Sequence, residues 1–326
     1  MSEKPLPPWA ETWIARIIGW VLRLLSFVPR KWLSQVAVSL GNLWRLLDRR
    51  HVAIARENLA LAYKLPENDP FVEATLRKVF VHLATVALEF PSLYRISRDN
   101  LDEYATFEGL ENAREAFSHG KGILFLTAHY GNWELMALAA SLKLAAPMHV
   151  MARPLDFTPL DRVLTGLRSR TGNVVLDKDK SAGLVSLILK ENGMVGILLD
   201  QNSSWFEGVY VPFFDRIACT NKGLALFALR SGSPIVPVFS TRQADGRHRV
   251  VIQSPIFMER TGDVHADVHN QTQKLNNIIE AQIRKVPEQW LWVHRRWRIK
   301  GIPDRAVRKM KISPEVVELA EKKENP

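Results

Sequence analysis

A histidine followed five residues later by a glutamate, in the run His129-Tyr130-Gly131-Asn132-Trp133-Glu134, is the pairing in this chain best suited to proton transfer. It follows the apolar stretch GILFLTA (122–128), which reads as a strand, and opens NWELMALAASLKLA, which reads as a helix. Inside one helix, an offset of five would set the two side chains about 140° apart, too divergent to touch easily. At a strand end and in a first helical turn they can approach across a bend at Gly131, with Asn132 as N-cap. Glu134 would then fix the tautomer of His129 and stabilise its imidazolium, leaving the other ring nitrogen to take a proton from a substrate hydroxyl. The free N–H groups at the helix start suit an oxyanion. By spacing alone a structural histidine at a strand end is the default reading, and it is the strand, Gly-Asn and helix context, with the membrane-binding pattern of the N-terminal segment, that favours chemistry.

The elements that must position this pair are legible as short apolar runs: GILFLTA, MHVMA (148–152), NVVLD (173–177), MVGILLD (194–200), PIVPVFS (234–240) and RVVIQ (249–253). Between them lie amphipathic stretches of helical length, LDRVLTGLRSR, SAGLVSLILKEN and NKGLALFALRSG. Such alternation predicts an α/β fold, a mostly parallel sheet covered by helices. Residues 52–98 read as helical, with a break at Leu65-Pro66.

Ahead of these, WIARIIGWVLRLLSFV (Trp13 to Val28) carries Arg16 and Arg23, and Arg30 continues the seven-residue spacing. That spacing makes one helix edge cationic and leaves the remainder apolar, the pattern of a helix lying in a membrane interface. A spanning helix is the alternative, but it needs about 20 predominantly apolar residues, and each central arginine would cost about 2.5–3.5 kcal/mol. A second amphipathic segment, Lys31 to Leu47, suits either the core or a second membrane contact. The charges do not precede an apolar run that ends in a cleavage site, so no export signal is read.

The chain has 326 residues, 47% of them hydrophobic, and 44 Lys and Arg against 34 Asp and Glu, for a net charge of +10. That balance suits an anionic partner. Near the C-terminus His294, Arg295, Arg296, Arg298 and Lys300 interleave with Trp290, Trp292 and Trp297. This mixture fits a membrane interface, and nucleic acid is not expected because no nucleic-acid module accompanies it. Cys219 is the only cysteine, which excludes an intramolecular disulfide, and no Cys-His signature marks it as an acyl-enzyme nucleophile. The remaining histidines follow no metal-ligand spacing, and no Gly-x-Gly-x-x-Gly or P-loop is present, so neither a metal nor a nucleotide cofactor is expected.

The run AHYGNWE, together with ARENLALAY near residue 60, RPLDFTPLDRVLTGLRSRTG (153–172), the long segment from Leu198 to Phe239 and PEQWLWVHRRWR (287–298), resembles the bacterial lipid A biosynthesis acyltransferases. These belong to the wider lysophospholipid and glycerol-phosphate acyltransferase superfamily. The resemblance implies transfer of a fatty acyl chain from acyl carrier protein to a hydroxyl of a lipid A precursor, at the cytoplasmic face of the inner membrane. It implies direct transfer with no cofactor, His129 as general base and Glu134 as its partner. Arg168 is implied as a basic site residue for lipid phosphate, a solvated helix end being its bland reading. Arg153, Asp200 and Gln201 fall at predicted strand ends, where α/β proteins place ligands. Leu199-Asp200-Gln201 stands where the superfamily has a Phe-Pro-Glu-Gly block, which disfavours glycerol phosphate as acceptor. The expected organisation is membrane-associated helices over 1–50, an acyltransferase domain over 51–302 and a basic then polar tail over 303–326. Acylation of another membrane glycolipid or aminolipid, or a catalytically silent membrane-surface binding protein, are the alternatives, and retention of both His129 and Glu134 argues against silence.

Overall fold

A computed structural model describes residues 7–178 and 180–299, with residues 314, 316 and 318 beyond them. Four helices come first: α1 (Pro8–Leu25), α2 (Arg30–Leu47), α3 (Arg49–Tyr63) and α4 (Pro70–Glu89). Asp48 and Asp69 cap α3 and α4 with their carboxylates, and Pro70 stands at the first turn of α4. Helix α2 crosses α4 closely at Gly41, where an added Cβ would lie 2.6 Å from the Val81 Cα, so only glycine permits the crossing. No helix among the described residues is long and apolar enough to cross a membrane.

The chain then alternates: β1 (Ala105–Glu108), α5 (Leu110–Ser118), β2 (Ile123–Thr127), α6 (Trp133–Leu144), β3 (Met148–Ala152), α7 (Thr158–Arg168), β4 (Val174–Asp177), α8 (Ala182–Lys190), β5 (Met194–Leu198). A hairpin, β6 (Gly208–Phe213) and β7 (Arg216–Asn221), leads to α9 (Gly223–Ser231), β8 (Ile235–Arg242), β9 (His248–Ile252) and α10 (Val264–Lys285). Seven strands form one sheet in the order β1-β9-β8-β2-β5-β3-β4, parallel except for the β8–β9 pair. All six expected strands are present. β1, α5, the β6–β7 hairpin and α10 are additions to the sequence reading.

Strand β2 is buried along its whole length. Leu124 and Leu126 point into one apolar layer, with Leu59, Phe80 and Leu275, while Ile123 and Phe125 point into the other, with Leu135, Met194 and Val250. A central strand covered on both faces is what a continuous apolar run encodes. The tail expected from residue 303 lies outside the described residues, apart from the three positions named above.

The expectation for the C-terminal tryptophans is overturned. Trp290, Trp292 and Trp297 are buried, as is Arg296, and they pack with Phe213 and Phe214 of the hairpin. They form core, not a membrane interface. Arg296 donates inside the core through Nη1 to the Cys219 carbonyl (2.8 Å) and through Nη2 to Thr220 Oγ1 (2.6 Å), with its plane over Phe213.

Candidate active site

β2 and β5 are adjacent and parallel, with Thr127 opposite Leu198. Two residues past each strand end stand His129 and Asp200, brought side by side by that register. The His129 Nδ1 is 2.9 Å from Asp200 Oδ1, and the His129 N–H donates to Asp200 Oδ2 at 3.0 Å. Trp290 Nε1 donates to the same Oδ2 at 2.7 Å. Burial would push the Asp200 carboxyl up, but the His129 ring and these donors outweigh it and hold the group below its ordinary range. With Oδ1 accepting from Nδ1–H, the Nε2 of His129 is left free to accept a proton. The histidine is partly exposed, whereas Asp200 is sealed beneath it.

The carboxylate expected beside His129 was that of Glu134, and this is corrected. Glu134 stands in the first turn of α6, where Arg168, the last residue of α7, grips it with two bonds, Nε to Oε2 at 2.8 Å and Nη2 to Oε1 at 2.5 Å. The His129 carboxylate partner is therefore Asp200. Arg168 is neither a solvated helix end nor free. Asn132 caps α6 as expected, accepting from the Leu135 N–H at 3.0 Å. The bend between them requires glycine: Gly131 has φ +62°, and an added Cβ would fall 1.7 Å from the Ser240 carbonyl oxygen.

Behind this loop lies a layer that sequence reasoning missed. Asn132 Nδ2 donates to Glu89 at 2.9 Å, and Glu89 also accepts from Arg242 through both guanidinium nitrogens and from His248. His82 contacts the Gly131 carbonyl at 3.2 Å. The C-terminal segment clasps the other edge, the Leu291 N–H donating to the His129 carbonyl at 3.0 Å and the Gly131 N–H to that of Gln289 at 2.9 Å. Asn58, inside ARENLALAY, holds that segment by donating to the Trp292 and His294 carbonyls, each at 2.7 Å.

A cavity of about 650 Å³ opens over His129. His129, Trp133, Glu134 and Arg168 line one part, and Leu138, Val150, Ile197, Leu224 and Phe227 line an apolar part. Arg153 and Gln201 also face it, so five of the six expected site residues line the cavity and the sixth, Asp200, supports it from below. Arg153 is largely exposed, its nearest carboxylate being Asp156 at 3.6 Å. Among the described residues no group of three or more His, Cys, Asp or Glu is arranged to hold a metal ion.

A histidine–aspartate pair over a partly apolar cavity fits many acyl and hydrolytic reactions, and comparison with known proteins narrows the choice. The family model for bacterial lipid A biosynthesis acyltransferases matches residues 5–299. The chain belongs to that family. It is accordingly an acyltransferase of lipid A biosynthesis. The acyltransferase is 25% identical over 302 residues to the lipid A biosynthesis palmitoleoyltransferase of Escherichia coli K12, covering 91% of this chain and 94% of that protein. It is 26% identical to the lauroyltransferase of the same organism, over 92% of this chain and 95% of the relative. A lipid A biosynthesis acyltransferase of Haemophilus influenzae is 27% identical over 86% of this chain and 88% of its own length.

Proposed function

We infer that the enzyme transfers a fatty acyl chain from the thioester of acyl carrier protein directly to a hydroxyl of a lipid A precursor, with His129 as general base. The observation that carries this reading is the His129–Asp200 pair at the head of the apolar cavity. The acceptor oxygen attacks the thioester carbonyl carbon as its proton passes to His129 Nε2. Asp200 stabilises the resulting imidazolium and fixes the tautomer. The tetrahedral oxyanion is stabilised by first-turn amides of α6, those of Trp133 and Glu134 that the Asn132 cap does not occupy. Collapse expels the thiolate, which takes the proton back from His129. The apolar side chains of the cavity suit an alkyl chain, and the Arg168–Glu134 clamp sets a guanidinium at its polar end for an anionic group of the acceptor.

This chemistry suits an inner-membrane enzyme working at the cytoplasmic face. Support comes from Trp9, Trp13, Trp20 and Trp32 on the N-terminal helices and Phe27 between them, each more than half exposed. So large an apolar face is a membrane-surface feature. The test is single-turnover transfer by purified enzyme with acyl carrier protein donor and lipid A precursor. His129→Ala should lower the rate by about 10² to 10⁴ while the fold is retained, and wild-type turnover by that variant would overturn the reading.

A further inference from the structure

Helix α1 lies against α7 with its arginine edge turned toward the α/β body. Arg30 is drawn inward to the Glu103 and Gly246 carbonyls. Arg16 and Arg23 instead face a groove of about 900 Å³ between α1, residues 94–95 and α7. Arg95, Arg162 and Arg170 line its opposite wall, and all five arginines are exposed. Aromatic rings hold three of the guanidinium planes: Arg16 is 5.4 Å from the Trp13 centroid, Arg23 is 5.3 Å from Tyr94 and Arg95 is 5.1 Å from Phe27. Stacking fixes a plane but leaves its N–H edge available.

Among the described residues, the one carboxylate paired with any of the five is Glu11, 3.8 Å from Arg162. Five like charges around one groove therefore lack four counter-charges; Arg170 donates through one nitrogen to the Ile96 carbonyl and Arg162 to Thr12 Oγ1, neither of which supplies negative charge. The side chains between them are apolar or small, Ala15 and Leu167 being buried in the seam. A ligand that fits carries an anionic group on an apolar stem. The groove opens beside the exposed Trp20 and Phe27, which places it at a bilayer surface and not in a soluble-ligand pocket.

We propose that this groove binds the phosphate of an anionic bilayer phospholipid, whose acyl chains continue along the outward apolar face of α1. Guanidinium forks match phosphate oxygens in pairs, so four arginines without a carboxylate partner select an anionic headgroup over a zwitterionic one. The site is separate from the catalytic cavity, since α7 presents Arg162 and Leu167 to the groove and Arg168 to the cavity. The proposal rests on the membrane-surface reading given above.

The test uses the full chain in vesicle flotation, with phosphatidylcholine alone or mixed with phosphatidylglycerol. A variant combining Arg16→Gln, Arg23→Gln, Arg95→Gln and Arg170→Gln is compared with one of equal charge loss elsewhere, Arg114→Gln, Lys121→Gln, Lys190→Gln and Arg230→Gln. The parent should prefer the phosphatidylglycerol vesicles, and the groove variant should lose about tenfold or more of that preference. The control should keep the preference, and binding to neutral vesicles should be alike in all three. Should the fourfold groove variant fail to fold, Arg95→Gln with Arg170→Gln alone should still show a loss that Lys190→Gln with Arg230→Gln does not. Retained preference in the groove variant, or equal loss in the control, overturns the site. Equal binding of neutral and anionic vesicles by the parent overturns the site and leaves the membrane-surface reading standing, whereas no binding to either overturns both.

Discussion

Two carboxylates face the His129 loop, and their partners divide the work between them. Asp200 touches His129, while Glu134 is spent on Arg168. Because Asp200 is held below the ordinary carboxylate range, it is charged across the working pH of a general base. Asp200→Asn removes that charge and offers the wrong hydrogen-bonding group to Nδ1, so turnover should fall on the order of 10³ to 10⁴. The acidic limb of its pH-rate profile should also move to lower pH. Glu134→Gln should leave that limb in place and act instead on use of the acceptor, through a loosened Arg168. If Glu134→Gln moves the limb and Asp200→Asn does not, the assignment of partners made here is wrong. Cys219 supplies the complementary case. Burial pushes its thiol up to about 11, so it is not a thiolate at neutral pH, and its sulfur is turned to the Ser204 carbonyl. Cys219→Ala should keep most of its activity, and mass spectrometry of enzyme with donor alone should find no acylated protein. At this scale the sequence reveals His129, its Gly131 bend and the Asn132 cap, because these are local. It cannot reveal the Asp200 bond, which joins positions 71 apart and exists only because β2 and β5 are neighbours in register.

The parallel strands and their crossover helices are legible because each carries its own period and its own breaks. The β6–β7 hairpin is not, since its turn places Phe214 and Asp215 at positive φ without the glycine or asparagine that usually signals it. Tertiary contacts hold that turn: the Phe214 N–H donates to Glu280, and Asp215 pairs with Lys64. Helix α10 is polar along most of its surface and escapes an apolar-run reading. The C-terminal tryptophans mislead for a related reason, because aromatic and arginine composition is shared by membrane interfaces and by cores with buried cations. Helix α4 and the C-terminal segment carry a consequence that can be measured. Burial lowers His82 to about 3 and His294 to about 4, against about 6.5 in an unfolded chain. The folded-state values lie below the unfolded ones, so between about pH 6.5 and 4 the unfolded chain binds protons that the folded protein does not. Stability is full above that window and falls as pH drops through it, by about 3 kcal/mol per pH unit for the two groups together. Urea unfolding at pH 7, 6 and 5 reads the slope, and His82→Gln should remove about half of it. An unchanged free energy from pH 7 to 5 would show that these histidines are accessible to protons in the native state.

Across the whole molecule, apolar surface and positive charge are distributed unequally. The α/β body buries its tryptophans deeply or in part and exposes only scattered phenylalanines such as Phe157, Phe206 and Phe257, while α1 and α2 expose theirs together, with Trp9, Trp13 and Trp20 at 70%, 58% and 65%. Helix α1 also packs on α7, which delivers Arg168 to the site, so deleting α1 would disturb catalysis and attachment together. Replacing only outward side chains separates the two. Trp9→Ser, Trp13→Ser and Trp20→Ser together remove three large aromatic side chains from the outward side of α1 and leave the buried Ala15 contact untouched. Each tryptophan lost from an interface weakens partition, and the triple variant should bind neutral vesicles about tenfold or more weakly. Its preference for anionic over neutral vesicles should fall only in part, because Trp13 stacks on Arg16 and Trp20 lines the groove, whereas Arg23, Arg95 and Arg170 keep their own contacts. Transfer measured in detergent, where no bilayer is needed, should stay within about threefold of the parent, since all three side chains lie outside the cavity over His129 and the proposed general-base step is worth far more. Flotation and detergent assays on the same preparation therefore give opposite results if the outward face of α1 is the attachment surface. Unchanged flotation would move that surface away from α1, and a matching loss in detergent would mean that these tryptophans support the fold instead of the membrane contact.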